Sequence, residues 1–191
     1  VADIQRCMKR LHLDPRDFCI LFRTNEQPRP FEEELRRADV PYTLVGSTSF
    51  FDRKEVRDIL AYLKTVQSPQ DEISLLRVIN SPPRGIGQKT VKTLLEQAVR
   101  EGKVFWDLIA NASGQVGLSV AAREALARFR DLIEHFRQLA QKSTVVSLVR
   151  ELVDGIRYYD EIERLYDDPL DRQTRWAAVE EIVNAAATFE K

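Results

Sequence analysis

The sequence is poor in the residues that build covalent and metal frameworks. Among 191 residues there are two cysteines, Cys7 and Cys19, and two histidines, His12 and His135. Two cysteines cannot form a disulfide scaffold, and two histidines cannot make a histidine-based zinc site without carboxylate help. No structural metal is expected. Long apolar runs are missing too: nothing approaches the ~18 to 20 residues that a membrane helix needs, and no charged-then-apolar leader opens the sequence. The expectation is a cytoplasmic protein that makes no membrane contact. Nor does one sign of charge dominate, with 29 Lys and Arg against 30 Asp and Glu and a net charge of -1. Phosphate neutralisation needs clustered Lys and Arg, so such a balance argues against nucleic acid unless the signs are segregated.

They are segregated. From Arg77 to Lys103 six basic residues face Glu96 and Glu101, a local +4, whereas Glu151 to Asp171 holds eight acids against Arg157 and Arg164, a local -6. A solvated face is the plain reading of either run. The length allows one large or two small domains with a real core.

Hydrophobic spacing divides the chain into two styles. Ile4, Met8 and Leu11 predict a helix over 1–11, followed by a strand-length apolar run at 17–22. Residues 30–38 predict a helix with proline in its first turn, early acids and late arginines, as the helix dipole prefers. After a break at Asp39-Val-Pro41, residues 42–46 predict a second strand. Strand, helix, strand is one βαβ unit, which is not a stable sheet on its own. From Asp52, the expected cap, a helix carries Val56, Ile59, Leu60, Leu63 and Val66 on one face and stops at Gln67-Ser-Pro-Gln-Asp71. Helices follow around 73–79 and 91–98, a long one around 118–136, one capped by Ser143 or Thr144, and a last one at about 172–190. The expected fold is mainly α: a partial α/β piece, then an all-α domain.

Three stretches carry more than propensity. Ile20-Leu-Phe-Arg-Thr-Asn-Glu-Gln27 delivers Phe22 and Arg23 to the carboxyl end of a strand, where parallel α/β sheets bind ligands. An aromatic and an arginine suit a base and a phosphate, although a core Phe22 and a surface-paired Arg23 also fit. Tyr42 to Asp58 joins a strand, a turn with Gly46 and Ser47, Phe50, Phe51 and Arg53, and a charged helix start. It reads equally as an aromatic turn that holds a helix. Asn80-Ser-Pro-Pro-Arg-Gly-Ile-Gly-Gln-Lys-Thr90 ends one helix with two prolines and opens the next after Gly85 and Gly87, which permit φ > 0. Backbone N–H groups at a helix start beside Arg84 and Lys89 form a phosphate-binding arrangement, the hairpin of a helix-hairpin-helix element that grips duplex DNA by its backbone. A plain tight turn between packed helices is the other reading. It is not a nucleotide-binding phosphate loop, because no Gly directly precedes the Lys, a proline stands at the upstream glycine position, and a helix precedes it.

In this order, the three stretches resemble the UvrD, Rep and PcrA group of superfamily 1 DNA helicases. Phe22 to Gln27 resembles their aromatic-R-T-N-x-Q motif IV, Gly46 to Asp58 their G-G-x-x-F-F-x-R-x-E-I-K-D stretch, and Arg77 to Gly87 their R-I-I-N-x-P-x-R-G-I-G segment. Ser47 stands in place of the second glycine of the pair, Pro28 and Pro30 flank Arg29, and Arg175-Trp-Ala-Ala replaces R-x-E-N.

The resemblance implies that 1–68 is the first part of the RecA-like 2A motor subdomain and 69–191 the helical 2B subdomain of an ATP-dependent, 3′ to 5′ helicase. It implies that Arg23 reaches the γ-phosphate of ATP and Phe22 lies against the adenine. Arg84, Gly85, Ile86, Gly87, Gln88, Lys89, Thr90 and Lys92 would sit on duplex DNA, with Gly46, Ser47 and Arg53 near single-stranded DNA. ATP and Mg²⁺ are its implied cofactors. The sequence carries no Walker A or Walker B motif, and Val1 stands where a start methionine would be. The expectation is therefore a piece of a larger motor, inactive by itself. Two further partners are open: a protein docked on the acidic helical face, in a regulatory module or a DNA-repair adaptor without ATPase activity, and a second copy paired through exposed strand edges.

Overall fold

The computed structural model describes residues 1–24, 27–45, 49–114 and 117–189. Gly46 and Ser47 lie outside the described residues. The chain forms two compact units, Val1–Arg53 and Lys54–Lys191.

The first unit holds α1 (Ala2–Leu11) and α2 (Arg29–Arg37), with 3-10 turns at Pro15–Asp17 and Phe50–Asp52. At the end of α2, Asp39 adopts φ +52° and lets Val40 N–H bond the Leu35 carbonyl at 2.9 Å, closing the turn expected at this break. Among the described residues there is no β-strand, so the two strands expected at 17–22 and 42–46 are not formed there. Phe18 does have extended dihedrals, φ -111° and ψ 143°, but a strand is defined by a hydrogen-bonded neighbour. Leu21 and Val45 stand 90% and 82% exposed, with the β propensity of their segments unused. Asp52 is corrected as well: it ends the 3-10 turn, and the next helix starts at Lys54 rather than on an Asp52 cap.

The second unit is all helix and turn among its described residues. It comprises α3 (Lys54–Gln67), α4 (Glu72–Val78), α5 (Gln88–Glu101), α6 (Phe105–Ala110), α7 (Val120–Ala140), α8 (Val145–Gly155), α9 (Tyr158–Leu165) and α10 (Pro169–Phe189). Of these, α6 and α9 were not read from the sequence.

Helix α3 is the hub, packing against α4, α7 and α10. It buries Val56, Ile59, Tyr62 and Val66 and also Glu55, Asp58 and Thr65, so it is enclosed on more than its apolar stripe. Helix α7 buries Ala122, Ala125, Leu126, Phe129, Ile133 and Phe136, a 3.6-residue period. Each of its large apolar side chains contributes about 1.5–3 kcal/mol by leaving water. Caps set the helix starts: Asp71 accepts from Ser74 N–H at 3.2 Å, Ser119 from Ala122 N–H at 3.2 Å and Thr144 from Ser147 N–H at 3.2 Å.

Candidate functional site

In the first unit, Gln27 organises the turn after Phe22. Its Oε1 accepts from Arg23 N–H at 2.7 Å and Thr24 N–H at 3.3 Å, leaving the Arg23 side chain exposed and Phe22 half-buried. Further along the chain, α2 and the Phe50–Asp52 turn interleave arginine with aromatic rings. The Arg29 guanidinium lies 4.5 Å from the Phe50 centroid and that of Arg36 lies 4.2 Å from Phe51, while Phe50 and Phe51 meet edge to face at 5.2 Å. Arg53 lies 5.9 Å from the Phe50 centroid, so the side chain expected near single-stranded DNA rests against this cluster. Burial lowers the Arg29 pKa, opposed by the ion pair with Glu33 at 3.0 Å. Buried Glu32 accepts from Ser49 Oγ at 2.9 Å and ties α2 to the segment before the turn.

In the second unit, the connection from α4 to α5 is a tight turn. Gly85 adopts φ +78°, a conformation only glycine takes freely, and Ile86 inserts into the core at 1% exposure. Gly85, Gly87, Gln88 and Lys89 are exposed, as is Lys92 one turn on, with Thr90 half-buried. Gly87 is the N-cap residue of α5. No side chain caps this helix and no acid lies in its first turn. The first intrahelical bond runs from Val91 N–H to Gly87 C=O at 3.2 Å, so the N–H groups of Gln88, Lys89 and Thr90 precede the ladder. The positive end of the helix dipole, two lysines and free donors therefore share one exposed corner.

Arg84 is placed differently from its neighbours. Its guanidinium turns inward, donating to the Val78 and Pro82 carbonyls at 3.1 and 2.8 Å and to the Tyr62 hydroxyl. It lies 5.5 Å from the Tyr62 centroid and 5.7 Å from Phe129. Of the two hairpin cations read from the sequence, Lys89 faces outward and Arg84 holds the turn.

Beneath the hairpin lies a charged network that sequence reasoning missed. Asp58, 2% exposed, accepts from Tyr158 OH at 2.8 Å, Arg77 at 2.8 Å, Lys54 at 2.5 Å and Ser81 Oγ at 3.3 Å. Burial and the Asp58 charge both push the Tyr158 hydroxyl pKa far up, so it stays a neutral donor. Glu55 pairs with Arg175 of α10 at 3.4 Å. The only sequence signal was polar residues at buried positions of a helix whose apolar stripe was already assigned.

The acidic stretch is partly neutralised from within. Glu161 is buried and held in a two-bond pair by Arg164 at 2.8 and 2.9 Å, Arg157 pairs with Asp160 at 2.5 Å, and Arg172 approaches Glu163 at 4.0 Å. Among the described residues no group of three His, Cys, Asp or Glu could hold a metal ion, and no helix is long and apolar enough to cross a membrane.

Comparison with known proteins follows the same residues. Residues 1–119 match the family model described as the UvrD-like helicase C-terminal domain. The ATP-dependent DNA helicase PcrA of Bacillus subtilis (strain 168) is 34% identical over 175 residues, covering 92% of this chain and 23% of the relative. The PcrA proteins of Staphylococcus aureus (strain Mu50) and Staphylococcus epidermidis are 31% and 30% identical over the same share of the chain and 24% of theirs. The chain thus spans about a quarter of the length of the curated relatives it matches. With most of the chain inside one family model, and the exposed hairpin and arginine-aromatic turn lying inside the matched span, the chain belongs to the UvrD-like helicase C-terminal domain family.

Proposed function

We propose that this chain supplies part of an ATP-dependent DNA helicase that unwinds duplex DNA 3′ to 5′, and that its share of the work is to hold the duplex and to complete an ATP site. The observation that carries the DNA reading is the uncapped start of α5, where Gln88, Lys89 and Thr90 offer backbone donors beside two exposed lysines. Donors of this kind grip phosphate without reading base sequence, as a helix-hairpin-helix element does. Lys89 and Lys92 add charge, Gly85 and Gly87 admit close approach of a backbone, and Ile86 and Arg84 hold the turn from inside.

At the other unit, exposed Arg23 and half-buried Phe22 suit a γ-phosphate and an adenine, in the geometry that Gln27 sets. Bound ATP supplies the phosphoanhydride whose hydrolysis drives translocation, and Arg23 would stabilise charge on its outer phosphate. Phosphate-loop and Mg²⁺-binding motifs are absent from the sequence, so the chain alone should hydrolyse no ATP. Exposed Leu21 and Val45 suit segments that pair as strands of a motor sheet, the βαβ unit of a 2A subdomain, with residues 69–191 as 2B. Edge-to-edge pairing of two copies would use the same segments, and a strictly monomeric species at high concentration by light scattering counts against it.

The test is a salt titration of duplex binding with Lys89→Ala and Lys92→Ala together. Arg84 stays intact because its loss would disturb the turn. Binding of a labelled duplex should weaken at every sequence, and the slope of log affinity against log salt should shrink by about one per lost phosphate contact. Unchanged affinity and slope would refute the hairpin reading.

A further inference from the structure

The hairpin is held only in part by its own residues. Within it, Asn80 Oδ1 accepts from Arg84 N–H at 2.8 Å. Most of its other side-chain holds come from α3, where Asp58 and Tyr62, four residues apart, lie one above the other on a single face. Asp58 Oδ2 accepts from Ser81 Oγ at 3.3 Å, and Asp58 Oδ1 accepts from Arg77 at 2.8 Å. The Tyr62 hydroxyl donates to the Ser81 carbonyl at 2.6 Å and accepts from the Arg84 guanidinium. Arg84 in turn bridges the last turn of α4, at Val78, to Pro82. Both ends of the Ser81–Arg84 stretch are thus fastened to one helix, by side chains 0–2% exposed. A turn with glycines at 85 and 87 has many conformations open to it, and buried fastenings of this kind select one.

We propose that Asp58 and Tyr62 are positioning residues for duplex binding: through Ser81 and Arg84 they fix the direction in which the start of α5 meets a phosphate backbone. The proposal rests on the phosphate reading of the hairpin and extends it to two side chains that touch no DNA. It makes α3 the element that sets the pose of the DNA contact.

The experiment compares Tyr62→Phe with Lys89→Ala in the 191-residue chain. It uses amide hydrogen exchange and binding of a labelled random-sequence DNA duplex over a range of salt. Tyr62→Phe keeps the ring in the core and removes only the hydroxyl. Exchange at the bonded amides on either side of the glycines, Arg84 N–H and Val91 N–H, should quicken by about 2- to 12-fold, the equivalent of one net hydrogen bond, with α7 and α10 unchanged. Duplex affinity should fall, and the salt slope should shrink by about one. A purely structural loss would lower the binding-competent fraction and leave the slope alone. Unchanged exchange in the hairpin overturns the proposal whatever the DNA result. Quickened exchange with unchanged affinity and slope overturns it too, provided that Lys89→Ala weakens binding. If Lys89→Ala binds normally, the phosphate reading itself fails, and the positioning role falls with it.

Discussion

Replacing Asp58 by alanine should be among the costliest single changes in the second unit. Four donors converge on its carboxylate, and they differ in what they can do once it is gone. Lys54, with 40% of its side chain exposed, can turn to water, and Arg77, 31% exposed, can do so in part. Tyr158 cannot: at 1% exposure its hydroxyl would stay buried without a partner, a cost of about 1–3 kcal/mol. With the broken pair to Arg77, whose Nε already lacks a hydrogen-bond partner, the total should reach about 3–5 kcal/mol. The assay is urea unfolding followed by tryptophan fluorescence. Both tryptophans, Trp106 and Trp176, belong to the second unit, so the signal reports that unit alone. The decisive arm is the double variant. Tyr158→Phe should destabilise the native chain by about 1 kcal/mol, but in the Asp58→Ala background it should be neutral or restore stability, since no hydroxyl remains unpaired. If Asp58→Ala costs less than about 1 kcal/mol, or if Tyr158→Phe costs the same in both backgrounds, the network is not the support described here.

Two further outcomes can be checked alongside. Gly155→Ala puts a Cβ 2.8 Å from Cζ of the buried Phe136 ring, so despite the better helix propensity of alanine it should destabilise by about 1–3 kcal/mol in the same unfolding assay. The Asp71 carboxylate, which caps α4 through Ser74 at 2.6 and 3.2 Å, has its pKa lowered by those hydrogen bonds. A depressed folded-state pKa means that the stabilisation is complete above the ordinary aspartate range near 3.9 and is lost as pH falls through the lower folded value. The melting-temperature difference between the native chain and Asp71→Asn should therefore shrink on acidification below about pH 4, and a difference constant down to strong acid would contradict the cap.

How legible the protein was depended on the range of the interaction. The helices α3, α5 and α7 were readable because their apolar period repeats over several turns, and the turn between α4 and α5 because Gly85 and two prolines punctuate the chain locally. The strands at 17–22 and 42–46 were read from propensity, yet a strand needs a hydrogen-bonded neighbour, and among the described residues neither segment has one. At the hairpin, sequence gave Arg84 and Lys89 the same role because both are cations beside glycine, and composition carries no direction for a side chain.

By itself the sequence determined the helical character of the second unit, the place of the hairpin and the family pattern, all properties of residues close together along the chain. Tertiary structure decided that Arg84 turns inward while Lys89 turns out, and that α9 is fastened to α3 by a hydrogen bond spanning 100 residues, from Tyr158 to Asp58. It also decided that the acidic run is partly spent on its own arginines. These outcomes depend on which groups lose water together when helices pack, and no local period encodes that.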